Sequence, residues 1–207
     1  MRQTLRISKI LIFFSLFITL QGSWKKPELI SLKNLQLSKR IKESLKNSPY
    51  AKSNIKSFKH DDKELQSLDF LVAGLHKKTC RFALVKVSQY ERFKDFISFI
   101  KESRYNEKTK KLFLQLSHPL LPFAMTLHFK LPRITNEGIT PFLFDSGFLK
   151  GLLGEIHVSS SEKRCLFVAK ARWKGPHTGI NNTLFSLFSE TLGKMGMTKV
   201  LRFSSTL

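Results

Sequence analysis

The chain has 207 residues, which is long enough for one domain with a hydrophobic core and an additional short segment. Hydrophobic residues make up 42% of the chain, as in ordinary globular proteins, and the formal net charge is +21. Phenylalanine occurs 19 times, against 3 tyrosines and 2 tryptophans, which indicates aromatic surfaces without hydrogen-bonding groups.

The N-terminal residues have the order of a secretory signal: a positively charged stretch, an apolar run over residues 10–20, and a cleavage region with small residues at residues 21–23. The apolar run is too short to span a bilayer comfortably. We therefore predict a signal peptide over residues 1–22 and an exported protein of the periplasm or envelope. An uncleaved anchor is the alternative, because Leu20 stands where a smaller residue is preferred.

Residues 23–62 are predicted to form a basic arm and a linker. Ten lysines or arginines and two glutamates occur between residues 24 and 60. Apolar residues recur within this arm at helical spacing, namely Ile30, Leu37, Ile41 and Leu45. Such a stretch can lie on an anionic membrane, and the alternatives are a helix packed on the domain or a solvated arm. Pro49 and the polar run 53–62 indicate the linker.

The charge of the chain favours an anionic partner. In an exported protein, anionic lipid head groups or acidic envelope polymers fit this charge, and a basic surface that only confers solubility is the alternative. Nucleic acid is disfavoured, because most phenylalanines fall on faces assigned to the core. We expect a monomer, and the sequence predicts no cofactor.

Residues 63–207 are predicted to form the folded domain. A run of β-formers at residues 80–87 is assigned to the first strand, and residues 90–105 have the spacing of one or two short helices. Apolar and polar residues then alternate with period two, which predicts five further strands. These strands are assigned to residues 112–116, 123–131, 139–144, 154–159 and 164–173.

A long amphipathic helix is predicted at residues 183–202. The polar residues before it can cap its first turn, although Asn181-Asn182-Thr183 also matches a glycosylation acceptor. Leu184, Phe188 and Leu192 recur on one face, and this face requires a broad apolar partner. The alternating strands supply that partner, so we expect the helix to lie against a curved antiparallel sheet.

A ligand cavity is predicted between this helix and the sheet. Alanines among large neighbours on the last strand leave volume unfilled beside the helix, as a cavity requires. Closer packing of the helix is the alternative. The residues predicted to line the cavity are Met125, Leu127, Phe129, Phe167, Ala169, Ala171, Trp173, Leu184 and Phe188.

The two cysteines of the chain are Cys80 and Cys165. Two cysteines in an exported protein invite a disulfide. Each cysteine begins a predicted strand, however, and the starts of antiparallel neighbours lie at opposite ends, beyond the limit of roughly 7 Å between bridged Cα atoms. We therefore expect two buried free thiols, with a disulfide as the alternative.

The order of elements, with GFLKGLLG at residues 147–154 before a strand and ARWKGP at 171–176 before the last helix, resembles the START-like helix-grip (SRPBCC) superfamily over residues 76–203. The chain is most similar to its polyketide cyclase/dehydrase and coenzyme-Q-binding group. The resemblance implies an α+β fold in which a curved antiparallel sheet of about six strands wraps a long C-terminal helix, with short helices after the first strand. It also implies a deep apolar cavity, which relatives use for lipids, quinones or polyketides.

The sequence carries no recognisable catalytic or metal-binding motif, since the histidines lack metal-ligand spacing and no Gly-x-Ser-x-Gly elbow occurs. The leading hypothesis is a non-catalytic module that binds a hydrophobic ligand such as a lipid, an acyl chain or a quinone. The alternative is a cyclase, dehydrase or hydrolase acting on a hydrophobic substrate in the same cavity. It requires ionisable side chains that converge on a cavity wall, and the candidates are Asp145, Glu155, His157 and Arg172.

Overall fold

A computed structural model describes residues 35–119, 121 and 123–205 of the chain. The predicted signal peptide and Ile30 lie outside the described residues. Among the residues that are described, no helix has both the length and the apolar character needed to cross a bilayer.

The described chain forms one antiparallel sheet of eight strands and four α-helices. The strands are adjacent in the order β1-β2-β8-β7-β6-β5-β4-β3. They span Tyr50–His60 (β1), Lys63–His76 (β2), Ile100–Asn106 (β3), Lys111–Leu116 (β4), Met125–Lys130 (β5), Gly138–Gly147 (β6), Leu153–Ser161 (β7) and Arg164–Pro176 (β8). The helices span Lys39–Ser44 (α1), Cys80–Val87 (α2), Phe93–Phe96 (α3) and Asn182–Phe203 (α4), with a short 3-10 helix at Tyr90–Arg92.

Helix α4 lies within one residue of its predicted bounds at each end. Its N-cap is Asn181, whose side chain accepts a hydrogen bond from the backbone N–H of Thr183 at 2.8 Å. The capping interpretation of this polar run therefore holds. The helix packs against the side of the sheet that we call the inner face, and the opposite side is the outer face.

Alternation along the strands sorts side chains between these two faces. On β8, Phe167, Ala171 and Trp173 belong to the main core on the inner face. Leu166 and Val168, which flank Phe167 in sequence, belong to a smaller cluster on the outer face. The sheet thus carries apolar residues on both faces, and only the inner one contacts α4.

Residues 80–87 are helical, so their assignment to the first strand is wrong. Cys80, Ala83, Leu84 and Val87 are buried at the three- and four-residue spacing of a helix. The β-forming composition of the run was a weaker determinant than the packing of this face. The helical assignment at residues 90–105 is also too long, because residues from Ile100 onward form β3.

The linker predicted at residues 53–62 is instead part of a β-hairpin. Strands β1 and β2 pair along their whole length, from Tyr50 opposite Ala73 to His60 opposite Lys63. Asp61 and Asp62 make the two-residue turn, both with positive φ, as a hairpin of this twist requires. The sheet therefore has eight strands rather than about six, and its first strand begins at Tyr50 rather than at residue 80.

Cys80 and Cys165 form a disulfide, so the expectation of two free thiols is wrong. Cys80 begins α2 rather than a strand. The chain leaves β2 at His76, which is paired with Cys165, and it turns back within four residues. The Cα atoms of the two cysteines are then 4.6 Å apart.

The described part of the basic arm is packed on the domain. Leu35 and Leu45 are buried in the outer-face cluster, where they join apolar residues of β2 and β8. Leu37 also packs against this cluster. Of the three interpretations of this segment, the structure has the one in which it is packed on the domain, with these three leucines facing the sheet.

Candidate functional site

A cavity of about 360 Å3 lies between α4 and the inner face of the sheet. Its wall consists almost entirely of hydrocarbon, and nine of the lining residues are phenylalanines. The phenylalanines are Phe70, Phe93, Phe99, Phe129, Phe142, Phe144, Phe148, Phe185 and Phe188. The other large lining residues are Leu68, Ile97, Ile100, Leu114, Leu116, Leu121, Met125, Leu127, Leu149, Leu152, Ile180 and Leu192.

Three of the six residues by which α4 lines the cavity are small. Ser189, Gly193 and Gly196 follow one another at helical spacing on the face of α4 that lines the cavity. A Cβ atom added at Gly196 would meet nothing closer than the Phe99 ring at 3.7 Å. The glycine therefore leaves the helix backbone bare where a larger side chain would fill the space.

Aromatic rings form much of the sheet side. Phe129 and Phe144 contact each other edge to face, with centroids 4.1 Å apart, and Phe142 lies 6.1 Å from Phe144. Phe148, in the turn after β6, lies 6.1 Å from Phe185 of α4. Because neighbouring rings restrict one another, this wall is expected to hold its shape without a ligand.

A buried glutamine fixes the segment that leads into α4. The side-chain amide of Gln66 donates to the backbone oxygen of Ile180 at 3.0 Å and to Asn182 Oδ1 at 2.8 Å. Its carbonyl oxygen accepts from the N–H and the hydroxyl of Thr178, at 3.2 and 2.7 Å. The hydrogen-bonding capacity of this amide is thus satisfied, as its burial requires.

The middle of α4 is held at the sheet edge by a second polar contact. The carboxylate of Glu190 accepts a hydrogen bond from the backbone N–H of Ser53 at 2.8 Å. The hydroxyls of Ser53 and Ser186 are 2.7 Å apart. Together with the Gln66 contacts, these bonds set the position of α4 relative to the sheet, and hence the depth of the cavity.

Five of the nine residues predicted to line the cavity do so: Met125, Leu127, Phe129, Ala171 and Phe188. The other four lie elsewhere. Phe167 is packed in the core, and Ala169 pairs with Val72 and Ile156 on the inner face. Trp173 donates its indole N–H to the backbone oxygen of Lys150. Leu184 is 49% exposed, because α4 is rotated so that Phe185 points inward instead.

Sequence reasoning missed Gly193 and Gly196 as lining residues. A signal was present, since two glycines three residues apart within one helix each cost up to about 1 kcal/mol relative to alanine. Glycines with such a cost are expected inside a helix where a side chain would fill space that the structure keeps open or gives to a neighbouring residue. The glycines could therefore have indicated the helix face with the cavity.

The four ionisable candidates for catalysis lie away from the cavity. Asp145 pairs with Lys111 at 2.7 Å, and this ammonium group lowers the pKa of the Asp145 carboxyl below its ordinary value. Glu155 and His157 are 2.7 Å apart on the outer face of β7.

Arg172 lies on the outer face as well, and it is 3.5 Å from Asp69. Among the described residues that line the cavity, none of these candidates occurs and no side chain is ionisable. The described residues also contain no group of three metal-ligating side chains.

No family model matches the chain, and no curated protein matches it. Several solved structures, however, are similar to the chain. The Zhui aromatase/cyclase from Streptomyces sp. R1128 matches with a TM-score of 0.55 at 8% identity, covering 67% of this chain and 93% of that one. A conserved protein from Geobacillus kaustophilus matches with a TM-score of 0.55 at 11% identity, covering 66% and 95%.

The di-domain ARO/CYC StfQ from the steffimycin biosynthetic pathway has a TM-score of 0.51 at 11% identity, with 67% of this chain and 50% of that one covered. The chain has the helix-grip fold. The START-like resemblance of the sequence is thereby confirmed at the level of fold. In each of these matches, about a third of this chain has no counterpart in the helix-grip neighbour.

Proposed function

We propose that this protein is an exported binding module that holds a hydrophobic ligand between α4 and the inner face of the sheet. The observation that carries the proposal is the apolar cavity of about 360 Å3. This volume lies within the range of about 300–1,000 Å3 that is usual for small-molecule sites. Each methylene group buried there contributes about 0.8 kcal/mol. An acyl chain, a lipid or a quinone tail would therefore bind through the burial of its apolar surface.

Export is part of the proposal. It is supported by the order of charged, apolar and small residues at the N-terminus. The disulfide between Cys80 and Cys165 also supports it, because disulfides persist in oxidising compartments.

A cyclase-type enzyme is the alternative function, and its support is that two helix-grip neighbours are aromatase/cyclases. The placement of the candidate acids and bases argues against it. General acid–base catalysis requires a side chain within hydrogen-bond reach of the reacting group. Asp145, Glu155, His157 and Arg172 are instead directed to the outer face or to partners there.

Filling the cavity tests the proposal. A leucine at Gly196 would extend into the space beside Phe99, and a phenylalanine at Ala171 would fill it from the sheet. We expect Gly196→Leu and Ala171→Phe to lower the affinity for a fluorescent fatty-acyl probe at least about tenfold while remaining folded. Gly196→Ala is the matched control, because one methyl group leaves most of the volume open.

Solvent extraction and native mass spectrometry of the purified wild-type protein should identify a co-purifying hydrophobic molecule that the two filled variants lack. Probe binding that is equal in wild type, control and both filled variants would contradict the proposal. Turnover of such a molecule by the wild-type protein would favour the enzyme instead.

A further inference from the structure

The cavity offers a ligand a single polar side chain. Among its described lining residues, Ser189 is the only one that carries a hydrogen-bonding side-chain group. Within the described part of the chain, its hydroxyl makes no hydrogen bond, although a helical serine commonly bonds to the carbonyl one turn earlier. This hydroxyl is therefore available to a ligand as a donor or an acceptor.

The position of Ser189 gives a ligand close access to it. Gly193 and Gly196 follow it by four and seven residues on the same helix face, so α4 itself places no side chain over the hydroxyl on that side, although the Phe70 ring packs against Gly193. A ligand that lies in the cavity beside Gly196 could therefore bring a polar atom to Ser189.

A charged group inside the cavity would have no partner among the described residues. Glu190, next to Ser189 in sequence, is directed to β1, where its carboxylate accepts from Ser53. Lys194, one turn further along α4, is exposed. An ion moved from water into such a hydrocarbon wall loses its hydration without compensation.

We propose that the cavity selects an uncharged hydrophobic molecule that carries an oxygen atom, and that the Ser189 hydroxyl is its specificity-determining contact. The ligand class comprises fatty alcohols, esters, quinones and similar neutral molecules, and it excludes free fatty-acid anions. This inference rests on the proposed binding function. It adds the charge state of the ligand and the residue that recognises its polar atom.

The test compares three molecules with one hydrocarbon chain: palmityl alcohol, palmitate and the corresponding alkane, each delivered from cyclodextrin to the full-length mature protein. At a pH well above the pKa of the acid, we expect the alcohol to bind at least about tenfold more tightly than palmitate. Affinity for the acid should rise as the pH falls and the carboxyl group becomes neutral.

Ser189→Ala separates hydrogen bonding from packing. We expect the substitution to lower the affinity for the alcohol by about two- to tenfold and to leave the affinity for the alkane unchanged, because only the alcohol loses a hydrogen bond. A purely structural role for Ser189 would weaken both ligands equally and would overturn its assignment. The filled variant Gly196→Leu should exclude all three molecules.

The two proposals fail in different ways. If palmitate binds as tightly as the alcohol at high pH, the cavity is still a binding site but the selection for uncharged ligands is refuted. If neither the alcohol, the acid nor the alkane binds, the binding function itself is refuted, and this inference falls with it.

Discussion

Gly193 and Gly196, both on the inner face of α4, differ in the space around them. A Cβ at Gly193 would lie 2.6 Å from the Phe70 ring, whereas a Cβ at Gly196 would be in ordinary contact with Phe99. Gly196→Ala should therefore raise the free energy of unfolding by about 1 kcal/mol through helix propensity alone. Gly193→Ala should show less gain or a loss, because the Phe70 ring must move.

Urea denaturation of the two alanine variants measures this difference. An equal gain for both variants would show that the Phe70 ring has room to move. The conclusion that only Gly196 borders free volume would then be wrong.

His76 makes stability depend on pH. It is buried, its Nδ1 accepts a hydrogen bond from the N–H of Lys78, and burial lowers its pKa below the ordinary value of 6.5. The unfolded chain therefore binds this proton more readily than the folded one. Stability is complete above about pH 6.5 and falls as the pH drops towards the folded-state pKa.

Thermal unfolding between about pH 7 and pH 5 should show this fall in Tm for the wild type and a flatter profile for His76→Gln. His60→Gln is the control, because His60 is exposed in the β1–β2 hairpin and should leave the profile unchanged. If His76→Gln shows the same dependence of Tm on pH as the wild type, His76 is not the group that makes stability depend on pH.

At the scale of elements, the disulfide connects α2 to β8. It closes a segment with a sequence separation of 85, so it removes a large amount of chain freedom from the unfolded state. Replacing both cysteines, as Cys80→Ser with Cys165→Ser, should lower the free energy of unfolding by about 2–4 kcal/mol.

Denaturation with and without a reductant measures this effect. The double variant should be insensitive to reductant, whereas the wild type should lose stability when it is reduced. Because neither cysteine lines the cavity, ligand affinity of the folded double variant should match that of the wild type. Equal stability of oxidised and reduced wild type would show that the bridge contributes nothing.

The hairpin partner β1 is the other element that shapes the site. It carries Ser53, which bonds to Glu190, and Ala51, which lies 3.5 Å from the Cβ position of Gly193. The residues before β1 then cross to the outer face, where Leu35 and Leu45 are buried. A segment that the sequence suggested as a membrane-binding arm thus supports α4 and covers the sheet.

For the whole molecule, the net charge of +21 predicts attraction to anionic surfaces. The buried leucines leave the basic residues of α1, such as Lys39 and Arg40, exposed to solvent. We expect the protein to sediment with phosphatidylglycerol vesicles in a salt-sensitive manner. Removing either of these two cations should weaken the binding free energy by about 1 kcal/mol.

The double variant Lys39→Gln with Arg40→Gln is therefore compared with Lys59→Gln with Lys108→Gln. The second pair removes the same charge at two distant sites, the end of β1 and the turn between β3 and β4. Equal loss of vesicle binding in both double variants would show that total charge, rather than the α1 surface, determines the attraction. Binding that is insensitive to salt would contradict an electrostatic origin.

The sequence by itself determined the long C-terminal helix and the strands β4 to β8, because periodic burial is written into the order of apolar residues. The bounds of α4 are predicted within one residue, and β8 begins at Arg164 as expected. Four of the five predicted residues that line the cavity follow from strand alternation, since it assigns side chains to the inner face, and Phe188 follows from the helical spacing of α4.

Only the tertiary structure decided the remaining features, because each depends on contacts between segments distant in sequence. Residues 80–87 combine β-forming composition with helical spacing, and packing against β8 selects the helix. The polar run 53–60 becomes a strand because β2 supplies its hydrogen bonds. Whether Leu184 or Phe185 faces inward depends on the rotation of α4, which is set by Gln66 and Glu190 rather than by the local pattern of the helix.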